Sequence, residues 1–146
     1  MDWYKDDFRI SDSKKDLDVE LIHQVLRSVP WAAGVSKQTV VRSIDQSLCL
    51  GVYRDGEQVG FGRAITDRAT FAYLDDVFIL GSWQGRGLSK WLLSCFLDHP
   101  ELQGLRRWML ATTDAHGLYE KNGFSALSSP EWFMEIYAPA DSQENV

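Results

Sequence analysis

Three groups of residues have types and spacing that can do chemistry. Gln84-Gly85-Arg86-Gly87-Leu88-Ser89 joins the strongest strand candidate, TFAYLDDVFIL, to an apolar run with helical spacing. A loop this poor in side chains lets its backbone N–H groups and the helix N-terminus form a positive concavity suited to a phosphate or pyrophosphate. Arg86 adds a charged contact at its rim. Asp75 and Asp76 are neighbours on that strand. Adjacent strand residues point to opposite faces, so the carboxylate that faces inward must be paired or wet. Regular alternation puts Leu74, Asp76, Phe78 and Leu80 on one face and Tyr73, Asp75, Val77 and Ile79 on the other, with Arg63 a natural partner for one carboxylate. Tyr119 follows His116 by one turn of a short helical segment, AHGLYEK, so the two can share a face. His116 is then in reach of proton transfer, although an exposed helical histidine is the simpler reading.

Two familiar phosphate-binding patterns fail on the loop. GxxxxGK[ST] counted from Gly81 meets Arg86 where the second glycine belongs, and GxGxxG counted from Gly85 meets Lys90 at the third.

The elements that must position these groups follow from periodicity. Leu17, Leu21, Ile22, Val25, Leu26 and Val29 make one helical face, capped at Ser13 or Asp16 and stopped by Pro30. A second helix is expected from Ser36, with Val40, Val41 and Ile44 inward. FRIS reads as an edge strand. LCLGVYR and EQVGFGRAIT read as a hairpin around Asp55-Gly56, with Val59, Phe61 and Ile65 alternating. After TFAYLDDVFIL, a helix opens at Gly85 to Gly87 with Leu88, Trp91, Leu92 and Phe96 inward, and Pro100 stops it. RRWMLAT is a strand. Asp114 caps the short helix, Asn122-Gly123 is its left-handed exit, and FSAL and WFMEIYA supply two last strands. The order implies an α/β (α+β) mixed sheet, mostly antiparallel with one parallel crossover, flanked by about four helices. Residues 1–146 read as one domain, with 139–146 a frayed tail.

The Gln84–Ser89 motif resembles the Q/R-x-x-G-x-G/A signature of the GNAT superfamily of acetyl-CoA-dependent N-acetyltransferases, with Ser89 in place of glycine or a small apolar residue. LDDVFILGSWQGRG resembles the strand and loop that precede that signature, and Tyr119-Glu120-Lys121-Asn122-Gly123-Phe124 resembles the Y-x-x-x-G-F of its short helix, preceded by Asp114 where many members carry asparagine. The resemblance covers residues 48 to 137, while the first 45 match only in their helix-helix pattern. It implies a GNAT-like fold and acetyl transfer from acetyl-CoA, as cosubstrate, to an amine acceptor. It implies that the pantetheine arm lies along Phe78, Ile79 and Leu80. The pyrophosphate would sit on Gln84, Gly85, Arg86, Gly87, Leu88 and Ser89, with Asp114 and Tyr119 further contacts. An alkylamine has a pKa of about 10.4 and must lose a proton before it attacks. The resemblance gives that task to Asp76, with Asp75 second, directly or through a water, and makes Tyr119 the acid that protonates the departing thiolate. A backbone N–H between Val77 and Leu80 would steady the carbonyl oxygen. The departures at Ser89 and Asp114 leave open a CoA-binding or interaction module with the fold and no transferase activity.

Composition excludes other classes. A length of 146 residues, 45% apolar and 25% charged, suits a globular domain with a real core. A net charge of −6 disfavours nucleic acid, whose binding rests on neutralised phosphates. Cys49 and Cys95 each lie in an apolar run, which reads as core packing in a reducing compartment. With no cationic leader and no long apolar stretch, a cytoplasmic protein without membrane contact is expected. His23 and His99 stand apart from other ligand types, and no metal is assigned. An edge strand near FSAL or WFMEIY would be open to pairing in a homodimer.

Overall fold

The computed structural model describes residues 1–138; the tail at 139–146, read above as frayed, lies outside the described residues. A six-stranded sheet runs in sequence order: β1 Asp2–Lys5, β2 Phe8–Ser11, β3 Leu48–Arg54, β4 Glu57–Thr66, β5 Phe71–Ile79 and β6 Arg107–Leu110. Every neighbouring pair is antiparallel except β5 and β6, which are parallel. That exception follows from the helix between them, since a crossover through α3 (Leu88–Asp98) returns the chain in the same direction. FRIS is therefore an interior strand. The edge is β1, whose short, polar DWYK carries too little alternation to announce itself.

The sheet is covered on both faces. Helices α1 (Val19–Ser28) and α2 (Lys37–Asp45) bury Ile22, Leu26, Val40 and Ile44 against Cys49 and Phe61. On the other face α3 packs Leu88, Leu92 and Phe96 against Leu50, Val52 and Ala64. Gly62 has no room for a side chain there, because an added Cβ would stand 2.7 Å from a ring carbon of Phe96. Cys49 and Cys95 are free and buried, and burial pushes their thiols up to about 11 and about 12.

Several expectations are corrected. Asp18, not Ser13 or Asp16, caps α1, accepting from the Leu21 N–H. Ser36 caps α2 as anticipated, but Val41 points to solvent while Val40 and Ile44 go inward. Ile65 is exposed because α1 and α2 do not reach the end of β4. The short helix α4 (His116–Glu120) begins after Ala115, and Thr112 Oγ1 rather than Asp114 accepts from the Ala115 N–H at 3.1 Å. Gly123, in the left-handed region, ends the segment as expected. FSAL and WFMEIYA form no strands: among the described residues no ladder follows β6, and an extended segment without a hydrogen-bonded neighbour is not a strand.

Candidate active site

The paired carboxylates sit on a break in the β4–β5 ladder. Phe61 lies opposite Phe78 and Arg63 opposite Asp75, so Gly62 alone faces two residues of β5. Asp76 carries the extra residue, with φ at 55°, a backbone region that Asp tolerates better than most residues. The bulge overturns the expected alternation. Asp75 and Asp76 share one face with Arg63, and Phe78 rejoins that face against Phe61, ring centroids 5.9 Å apart. Val77 and Ile79 turn instead to the α3 side.

Arg63 holds both acids at once. Its Nε donates to Asp76 Oδ2 at 2.9 Å, its Nη2 to Asp75 Oδ2 at 3.1 Å, and its Nη1 to the buried Ser47 Oγ at 3.0 Å. Asp75 Oδ1 accepts from the Asp76 N–H, which fixes the bulge. The Asp76 side chain is only 9% exposed, against 32% for Asp75. Burial, and then the negative charge of Asp75, raise the Asp76 pKa above the ordinary carboxylate value, and the opposing pull of Arg63 does not cancel them. A carboxylate in that state is a stronger base than a solvated one.

Beside these acids the sheet splits. β6 pairs with β5 only from Phe71 to Leu74, so beyond Leu74 the outer edge of β5 has no neighbour. The Leu80 N–H donates inward to Val59 O at 2.8 Å. Strand N–H groups alternate between edges, so those of Ile79 and Val77 face the open side while those of Phe78 and Leu80 face β4. Among the three positions expected to meet a ligand along this strand, Ile79 offers a free N–H. Its carbonyl is already held by Gln84, whose Nε2 donates to it at 2.9 Å. The Gln84 side chain thus braces the end of β5 instead of pointing outward.

The glycine loop stands where the sequence puts it. Gly85 and Gly87 both have φ of 78°, and an added Cβ at either would meet nothing within 4 Å. Backbone conformation, not crowding, demands glycine, and the space before the α3 N-terminus is open. Leu88, the first residue of α3, is buried, so only its backbone is available, and Ser89 follows it in the first turn. The Arg86 guanidinium lies 4.9 Å from the Trp83 ring centroid and that of Arg54 5.0 Å from it. Arg54 is a residue the sequence reading passed over, because its place at the end of a core strand gives no hint that it meets this loop. Both arginines line a cavity of about 260 Å³ with Gly87, although Asp6 and Asp7 line it too.

Asp75, Asp76, Asp114 and Tyr119 line one cavity of about 470 Å³ at the split between β5 and β6. Tyr119 is half-buried, packs edge-on against Phe124 at 5.7 Å, and has its pKa raised by burial and then by Asp114. Its phenol is therefore protonated at neutral pH. Trp31, 60% exposed between α1 and α2, also lines this cavity. Its signal was a large aromatic directly after Pro30, outside either helix's apolar period. His116 does not line this cavity and instead faces the adjoining space behind Tyr119.

His99 is not isolated, contrary to expectation. It is buried, its Nδ1 accepts from the Glu101 N–H at 3.1 Å, and its Nε2 lies 2.8 Å from Asp12 Oδ2. Asp12, His99 and Glu101 form a group whose ligand atoms lie within 4.8 Å of one another, yet both ring nitrogens already serve as struts between the β2 end and the turn after α3. Among the described residues no helix is long and apolar enough to cross a membrane.

Comparison with known proteins agrees with this fold. The acetyltransferase (GNAT) family pattern matches residues 1–124. A Gibberella zeae protein assigned as an acetyltransferase is 36% identical over 143 residues, spanning 82% of this chain and 80% of its own length. The crystal structure of a GNAT-family protein from Xanthomonas campestris pv. campestris is 48% identical, with a TM-score of 0.89 over 91% of this chain and 94% of that one. A Deinococcus radiodurans protein assigned as an acetyltransferase, at 19% identity, shares the fold with a TM-score of 0.73 over 98% and 96% of the two chains. With the family pattern over most of its length and relatives at this identity, the chain belongs to the acetyltransferase (GNAT) family.

Proposed function

We propose that the protein is a single-domain, cytoplasmic N-acetyltransferase that moves the acetyl group of acetyl-CoA to a primary amine of a small molecule or peptide. The observation that carries this reading is the lining of one cavity by both a buried carboxylate, Asp76, and a half-buried phenol, Tyr119, at the place where β5 parts from β6. Acyl transfer to an amine needs a base on one side and an acid on the other, and these two groups have opposite protonation states to offer. The buried free thiols suit a reducing compartment.

Each substrate portion has a partner. The open edge of β5, with the Ile79 and Val77 N–H groups, is a surface on which an amide-bearing arm can pair as an added strand. The loop Gly85–Gly87 and the α3 N-terminus suit a pyrophosphate, with Arg86 and Arg54 as flanking charge. Asp76, its pKa raised, takes the ammonium proton directly or through a water, and Arg63 keeps the carboxylate aimed. A free strand N–H stabilises charge on the thioester oxygen as the amine attacks. Tyr119 gives its proton to the leaving thiolate, so that the sulfur does not attack back.

Calorimetric titration with acetyl-CoA and CoA, followed by thiol release against a panel of primary amines, tests the reading. Binding with amine-dependent release is the expected result. Binding without release for any amine would favour a CoA-binding module of the same fold, and no binding would overturn the loop assignment.

A further inference from the structure

The wall of the 470 Å³ cavity carries the carboxylates Asp75, Asp76 and Asp114 and the aromatic rings of Trp31, Tyr73 and Tyr119. Among the described residues no lysine or arginine lines it. Arg63 offers one positive charge to Asp75 and Asp76 together, while Asp114 has no ion pair among the described residues. Both phenols register the negative potential that remains. The Tyr73 pKa is raised by burial and then by Asp75 and Asp76, that of Tyr119 by burial and then by Asp114. The cavity therefore attracts cations from the β5 side and from the loop before α4 alike.

An amine that attacks a thioester gives up its proton and leaves as a neutral amide, so the reacting nitrogen cannot balance these carboxylates. A second positive charge on the acceptor, away from that nitrogen, can. Trp31 supplies a place for it. Its indole is 60% exposed, yet its backbone is fixed: Pro30 opens the turn Pro30–Ala32, the Ala32 N–H donates to Val29 O at 3.2 Å, and the Val35 N–H donates to Ala32 O at 3.0 Å. His23 Nε2, 2.9 Å from Val35 O, ties the turn to α1. An indole face held open on an acidic cavity is a surface for a cation.

We infer that the acceptor is a small linear diamine, with one amine reacting between Asp76 and Tyr119 and the other staying protonated against the Trp31 ring and the Asp75 carboxylate. The methylene chain between the two nitrogens packs on the aromatic wall. Asp75, 32% exposed, accepts one hydrogen bond at each oxygen, from Arg63 and from the Asp76 N–H, and keeps lone pairs for an ammonium. Trp31 is then the residue that selects the substrate, and the inference rests on the acetyl transfer proposed above. The reacting nitrogen gives one proton to Asp76 before attack. As the C–N bond forms and the C–S bond breaks, the thiolate takes the Tyr119 proton, and the second proton shed by the new amide nitrogen restores the phenol. Asp76 releases its proton to water, and the far ammonium keeps its own throughout. A carboxylate in place of that ammonium would meet like charge on the wall, which disfavours amino acids as acceptors.

The test is thiol release at saturating acetyl-CoA with 1,4-diaminobutane, 1-aminobutane and 4-aminobutanoate, which share a chain and differ in the far group. The diamine should exceed 1-aminobutane in kcat/KM by about 2–30-fold beyond the statistical advantage of its second amine, mostly through KM, and 4-aminobutanoate should be slowest. Trp31→Ala, at an exposed position, should keep the circular dichroism spectrum and lose that excess, whereas Trp31→Phe should retain part of it. Similar kcat/KM for all three amines, or an excess that survives Trp31→Ala, would overturn the diamine and leave the transferase reading standing. Thiol release with none of them, nor with a wider panel of primary amines, would overturn both.

Discussion

Arg63 grips Asp76 through Nε at 2.9 Å although the two residues lie on neighbouring strands that the regular pleat would keep out of step. The left-handed backbone of Asp76 makes this possible, and the same guanidinium also takes Asp75 and Ser47. One arginine therefore sets the place and the charge of the proposed base.

Arg63→Ala should damage the protein twice. The arginine side chain is 12% exposed and Asp76 9%, so the loss leaves a buried carboxylate unpaired, at a cost of about 3–5 kcal/mol. Without the cation, the Asp76 pKa rises further, and the acidic limb of kcat/KM should move to higher pH. Chemical denaturation and a pH–rate profile measure the two effects separately. A limb that stays in place would detach Asp76 from the chemistry.

Asp76→Asn separates stability from activity. The folded pKa of Asp76 lies above its unfolded value, so its contribution is fully present below the ordinary carboxylate range and is lost as pH rises through the raised folded value. Above that raised value the native protein carries the whole penalty of an ionised buried acid. The Asn variant should therefore gain melting temperature relative to the parent between acid and neutral pH, while turnover falls by about 10²–10⁴-fold. Melting curves across that range check the sign; a variant that loses stability towards neutral pH would contradict it.

The legible parts of this molecule are those that local pattern decides. The Gly85–Gly87 loop, the helix α3 behind it and the strand β6 beyond follow from glycine placement and apolar periodicity. Asp76 was legible as a candidate but not in its orientation, because a two-residue period assumes an unbroken ladder and the bulge exists only in the pairing with β4. Arg54 and Trp31 reach the site through tertiary approach, to which no spacing in the sequence refers. The segment Trp132–Tyr137 has the period of a strand and forms none, since a strand is defined by a hydrogen-bonded neighbour and among the described residues no ladder follows β6.

Tyr119→Phe should leave the fold alone, because the edge-on contact with Phe124 needs only the ring. Acetyl-CoA affinity should change little, while kcat falls by about 10²–10⁴-fold through loss of the proton donor. Burial and Asp114 keep the parent phenol protonated well past neutrality, so no loss of activity near neutral pH should trace to its ionisation. Equal turnover of the Phe variant would make Tyr119 a packing residue only.

Gly87 is demanded by its backbone, and that separates two effects a substitution might mix. A non-glycine residue at φ 78° costs about 1–2 kcal/mol, yet its Cβ meets nothing, so the fold should survive either Gly87→Asn or Gly87→Glu. Asn tolerates the left-handed region and keeps the backbone N–H groups in place without adding charge. Glu puts a carboxylate at the α3 N-terminus, where a pyrophosphate would have to sit. Calorimetry should find measurable CoA binding for the Asn variant and none for the Glu variant, with both chains folded by circular dichroism. If the Glu variant bound CoA as the parent does, the anion would lie elsewhere, and the open space before α3 would be only the exposed end of a strand-to-helix turn.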